Sequence, residues 1–117
     1  MRGIRFRVWD KEYQIYNNNP HIVINLEGEV YNQQDGSGGD IYIVEQYTGL
    51  KDKNGKEIYE GDIVRGYVYK SDEYQIRFVN GGFRLIYSHD NEWFVDINVP
   101  DQIEVVGNIH EGVKDAR

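Results

Sequence analysis

Ser88-His89-Asp90, with Glu92 close behind, is the densest cluster of reactive side chains in this 117-residue sequence. A hydroxyl, an imidazole and carboxylates are the residue types of nucleophilic or metal-assisted hydrolysis. Their spacing argues against both chemistries. Consecutive residues cannot fold back on one another as a catalytic triad does, and a transition metal usually recruits more than one His at fixed spacing. The expectation is an exposed polar turn between strands, with a hydrolase centred on His89 as the minor alternative. His21 and His110 stand apart.

Two further segments invite a ligand and fail on register. If Gly55 of Asp52-Lys53-Asn54-Gly55 is aligned with the invariant glycine of a calcium loop, Leu50 falls where the first carboxylate must be and Gly61 where the bidentate Glu must be. Gly49 and Gly55 bracket lysines as in a phosphate-binding loop, but the spacing is one residue too long and Glu57 stands where a hydroxyl should hold magnesium. The glycine-rich stretch from Asn32 to Asp40, NQQDGSGGD, has no Lys-Ser or Lys-Thr pair after it and reads as a mobile polar surface loop. The chain holds no cysteine, so thiol catalysis, thiolate metal sites and disulfides are out, and a reducing cytoplasm suits it. No catalytic residue, metal ligand or cofactor is assigned, and the expectation is a protein that is not an enzyme.

Two surfaces remain. Arg5 and Arg7 should share a strand face, since side chains alternate, and with Lys11, Trp9 and Tyr13 nearby they could form a nucleic-acid surface of cations and stacking rings. The competing reading is a solvated face whose charges discourage edge aggregation, and a net charge of -7 favours it because loose phosphate attraction scales with Lys and Arg contacts. Tyrosines suit contact surfaces as well as thin β-cores, and Tyr47, Tyr59, Tyr67 and Tyr69 form the first candidate interaction surface.

The elements that must position these residues are strands. There are 13 Ile, 12 Val and 10 Tyr against 3 Leu, 1 Ala and 1 Met, and β-branched and aromatic side chains favour the pleated sheet over the helix. Ile4, Phe6 and Val8 alternate with polar or amphipathic neighbours, turn at Asp10-Lys11, and return through Tyr13 and Ile15. Ile22, Ile24 and Leu26 restart the alternation, and Glu27-Gly28 turns it into Val30 and Tyr31. Ile41 and Ile43 open a strand toward Tyr47. Asn54-Gly55 supplies a turn tolerant of positive φ. In the Gly61-Asp62 corner, glycine takes the strained angle and the carboxylate accepts nearby amides. Tyr74, Ile76 and Phe78 reverse at Asn80-Gly81-Gly82 into Phe83, Leu85 and Tyr87, and a last strand runs from Ile103 to Ile109. Short strands with frequent turns predict an all-β barrel or sandwich, one domain over residues 1–117, with at most one short helix and a frayed tail at 112–117. No stretch is apolar enough for a leader or a membrane span. Exposed strand edges predict a homo-oligomer.

YTGLKDKNGKEIYEGDIV at residues 47–64 resembles the signature of YopX-like proteins, found in bacteriophages and prophages of Gram-positive bacteria. IRFRVWD at 4–10 and VVGNIHE at 105–111 are similar to the family's opening and closing segments. The resemblance implies an SH3-like barrel with additional N-terminal strands, and it brings no catalytic residue, cofactor or substrate. It implies a phage-encoded accessory protein acting by protein–protein contact with a phage or host protein. The alternative is a nucleic-acid-binding small barrel using the basic N-terminal strand.

Overall fold

The computed structural model describes residues 4–66, 72–87, 94–96 and 102–113, with 94–96 described by backbone alone. Among them every regular element is a strand except one 3-10 turn, Gly39–Ile41, so the all-β expectation holds. The chain separates into two compact units, Arg5–Gln46 and Tyr47–Arg117 with Met1–Ile4.

In the first unit, β1 (Phe6–Asp10) and β2 (Ile15–Tyr16) form the expected hairpin, with Trp9 opposite Tyr16. Asp10, 2% exposed, makes the turn: its Oδ1 accepts the amides of Glu12 and Tyr13 at 2.9 and 3.0 Å, and its Oδ2 accepts Asn17 Nδ2 at 3.1 Å. β3 (Ile22–Ile24) and β4 (Val30–Asn32) form a second hairpin. The alternation expected to continue through Leu26 stops at Ile24, because Asn25 starts the turn and Gly28 takes φ 84°. Asn32, placed by sequence in the polar loop, instead ends β4 and is buried, its Oδ1 accepting the Gln34 amide at 2.8 Å. A strand β5 (Tyr42–Lys51) then begins, and its first half pairs with β1.

In the second unit, the other half of β5 pairs with β6 (Glu57–Tyr59) through a register shift between Tyr47 and Lys51. Thr48 and Gly49 occupy the irregularity: Gly49 takes φ 87°, while Thr48 Oγ1 donates to the Ile58 carbonyl at 2.7 Å. β7 (Asp62–Arg65), β8 (Glu73–Val79), β9 (Gly82–Tyr87), β10 (Phe94–Asp96), β11 (Glu104–Asn108) and β12 (Gly112–Val113) form one antiparallel sheet in the order β10-β9-β8-β7-β11-β12, curled like half a barrel. Asn80 and Gly81, with φ 51° and 82°, make the two-residue turn between β8 and β9 that the sequence announced. Gly112 and Val113, expected to belong to the frayed tail, pair with Asn108 and Gly107. Gly107 is where the closing segment needs a glycine, since a Cβ there would run into the Gly112 carbonyl and leave β12 no room.

Ile58, Val64, Tyr74, Ile76, Leu85 and Ile103 form the core of this unit. Burial of each aliphatic member contributes about 1.5–3 kcal/mol. Two carboxylates tie the corners to that core. Asp62 Oδ2 accepts the Tyr59 amide at 2.8 Å while Gly61 takes φ 89°, the arrangement expected of the Gly-Asp corner. Asp52, 6% exposed, does more: Oδ1 accepts the Asn54 and Lys56 amides at 2.8 and 2.9 Å, and Oδ2 accepts the Val105 amide at 2.9 Å. One side chain thus closes the turn and fixes β11. Asp52→Ala orphans these three amides and is expected to cost about 3 kcal/mol or more, because bonds to a charged acceptor are individually worth roughly 1.5–3 kcal/mol. Urea unfolding monitored by tryptophan fluorescence checks it, and a loss under about 1 kcal/mol contradicts the assignment.

Candidate functional site

The sequence candidates do not assemble into one centre. Tyr67, Tyr69, Ser88, His89, Asp90 and Glu92 lie outside the described residues. Tyr47 and Tyr59 are cross-strand partners with ring centroids 5.4 Å apart, and Tyr47 is only 8% exposed, which leaves its ring little to offer a partner. Asn54 and Gly55 form the Asp52 turn, with Gly55 at φ 81°. The turn, corner and core residues of the signature block have architectural tasks. Among the described residues no group of three or more His, Cys, Asp or Glu side chains gathers as a metal site would require.

Four successive amides of the glycine-rich loop are spent within it. Gln34 and Asp35 donate to Asn32 Oδ1, Gly36 donates to the Asn32 carbonyl, and Ser37 donates to Asp35 Oδ1. That leaves a carboxylate where a phosphate cradle would present N–H groups. The Ser37 hydroxyl at 2.6 Å, then its amide, hold Asp35 below the ordinary carboxylate value of 3.8. A depressed folded-state value means the turn gains stability above that pH and loses it as pH falls through the lower value.

The basic N-terminal residues part company. Arg7 Nε donates to Glu45 Oε1 at 2.8 Å, and the guanidinium carbon lies 4.4 Å from the centre of the Tyr16 ring, whose hydroxyl donates to the same Glu45 oxygen at 2.9 Å. β1 and β5 pair so that Arg7 stands directly opposite Glu45. Glu45 is 2% exposed, so Arg7 compensates a buried charge. Arg5 and Lys11 are exposed. Sequence reading missed Glu45; the available signal was an acid on the strand face that alternation shares between Ile43 and Tyr47.

That network walls an open cleft of about 700 Å³, lined on one side by Phe6, Val8 and Tyr16 and on the other by Pro20, Ile22 and Ile24. Exposed apolar side chains concentrate in the same unit: Phe6 is 46%, Tyr13 69% and Ile15 49% exposed. Asn17, Asn18 and Asn19 line the cleft and supply polar groups. An apolar trough with a few polar groups is suited to another polypeptide's side chains.

Strand order, the carboxylate-tied corners and this cleft define a small all-β protein whose distinctive sequence block is structural. The family model "YopX protein" matches residues 5–114, and the chain belongs to the YopX family. Its structure is similar to the crystal structure of protein EF1440 from Enterococcus faecalis, with TM-score 0.62 and 27% identity over 95% of this chain and 96% of that one. It is also similar in fold to protein yopX from Bacillus subtilis, with TM-score 0.56 and 21% identity over 94% of each chain. No curated protein sequence matches the chain.

If Arg7 balances the buried Glu45, Arg7→Ala should cost about 2–4 kcal/mol, near the range for breaking a buried pair and reduced by the partial exposure of Arg7. Tyr16→Phe should cost only about 1 kcal/mol. Urea titrations of both variants test this, and an Arg7→Ala loss no larger than that of Tyr16→Phe would refute it.

Proposed function

We propose that this chain is a non-enzymatic accessory protein encoded by a bacteriophage or prophage, acting in the host cytoplasm by binding another protein. The observation that carries the reading is the exposure of Phe6, Tyr13 and Ile15 beside the cleft of the Arg5–Gln46 unit. Exposed apolar groups that cluster next to a concave surface mark interaction sites more often than singly scattered ones do. The signature block supports it from the other side. Thr48, Gly49, Asp52, Ile58, Gly61 and Asp62 of that block are consumed by turns, a strand irregularity and the core, so contacts with other molecules are looked for elsewhere on the chain.

The alternative, a nucleic-acid-binding barrel, would depend on Arg5 and Lys11, because the Arg7 charge is set against Glu45. A net charge of -7 works against it through long-range repulsion of phosphates.

A photo-crosslinking residue, p-benzoylphenylalanine, placed at Tyr13 or Ile15 separates the readings in the bacterial host. The accessory reading predicts a discrete protein adduct from both positions and none from the same residue at Lys56, an exposed site of the other unit. No adduct, or one abolished by nuclease, would count against protein binding.

A further inference from the structure

The hairpin of β3 and β4 ends in a feature that folding does not explain. Leu26 is fully exposed, at 107% of its reference area. An aliphatic side chain in that position contributes nothing to the core. Yet the turn that carries it is tightly made. Asn25 Oδ1 accepts the amides of Glu27 and Glu29, both at 2.9 Å, and Asn25 Nδ2 donates to Glu29 Oε1 at 2.9 Å. The Asn25 amide donates to the Glu29 carbonyl at 2.9 Å, and the Gly28 amide returns to the Asn25 carbonyl at 3.0 Å. Leu26 is thus presented on a preorganised turn, which lowers the ordering cost of inserting it into a partner.

The cleft of the same unit is the complementary shape. Phe6, Val8, Ile22 and Ile24 give it apolar walls, and about 700 Å³ is ample for a leucine and the turn around it. Charge runs the same way. Glu27 and Glu29 flank the leucine, while exposed Arg5 adjoins the cleft residue Phe6. Because Leu26 is fully exposed, no chain's turn fills its own cleft.

We propose that the cleft receives the Leu26 turn of a second copy of this chain. Given reciprocally by two copies, the contact closes a two-fold dimer; given to successive neighbours, it closes a ring or continues as a filament. The proposal assigns the cleft and Phe6 to the second copy and leaves Tyr13 and Ile15 beside it to the accessory-protein reading, so sedimentation of the purified chain tests the one and crosslinking in cells the other.

Sedimentation velocity on the purified full-length protein across a concentration series tests it. The wild type should gain mass with concentration, and Leu26→Asp and Phe6→Glu should each shift association to at least about tenfold higher concentration. Mixing the two variants should then yield a one-to-one dimer that grows no further, because one retains only the cleft and the other only the turn. Circular dichroism melts establish that both variants are folded. Leu26 is free of any folding role, and Pro20→Glu, at an exposed cleft residue, replaces Phe6→Glu if that variant melts early. A monomeric wild type, a Leu26→Asp variant that associates like wild type, or a mixture that stays monomeric overturns the proposal. If the wild type is monomeric while photo-crosslinks from Tyr13 persist in cells, the cleft's occupant is another protein and only self-association falls.

Discussion

Buried side-chain oxygens that accept main-chain amides at the corners are the interaction on which both units depend. A protein of short strands has many corners, and each leaves N–H groups that the sheet cannot satisfy. Leaving one of them buried without a partner costs about 1–3 kcal/mol. Asp10, Asn32, Asp52 and Asp62 are all buried, and each accepts at least one amide within four residues of itself. Asp52 is the most consequential, because its second oxygen reaches the amide of Val105, 53 positions along the chain. A local turn is thereby converted into a constraint on the strand that edges β7.

The tyrosine-rich composition follows from the same shortage of depth. Trp9–Tyr16, Tyr47–Tyr59, Tyr74–Tyr87 and Phe78–Phe83 are each directly opposed residues of antiparallel pairs, with ring centroids 5.0–5.5 Å apart. Such pairs stabilise a hairpin across its own face without needing a thick interior. With carboxylates at the corners and rings across the ladders, the family's block from Tyr47 to Val64 is explained by architecture. The unit Arg5–Gln46, which carries the cleft, the Arg7–Glu45 pair and Leu26, is where surface chemistry is left over.

What could be read from sequence was what local backbone chemistry dictates. Asn80-Gly81 had to be a two-residue reversal, Gly61 had to take positive φ, and Asp62 had to bond amides beside it, because neighbouring residues alone decide these features. Composition decided the strand content for the same reason. Arg7 and Glu45 are 38 positions apart, and nothing in periodicity says which strand will lie against which. Asn32 was assigned to a polar loop because a buried amide looks like any other polar residue until its acceptor role is known. Leu26 continued an alternation on paper, yet Asn25 captured the backbone into a turn one residue before it. The cleft could not be foreseen at all, since it arises from two hairpins placed side by side within one unit.

Amide hydrogen exchange measured residue by residue by NMR tests the central claim, that the Asp52 carboxylate is a structural acceptor which joins the turn to β11. The account predicts that the Asn54, Lys56 and Val105 amides are protected on the same scale as those of the core residues Val64 and Ile76. Exchange of these three amides at the rate of exposed turns, with Val64 and Ile76 still protected, would contradict it.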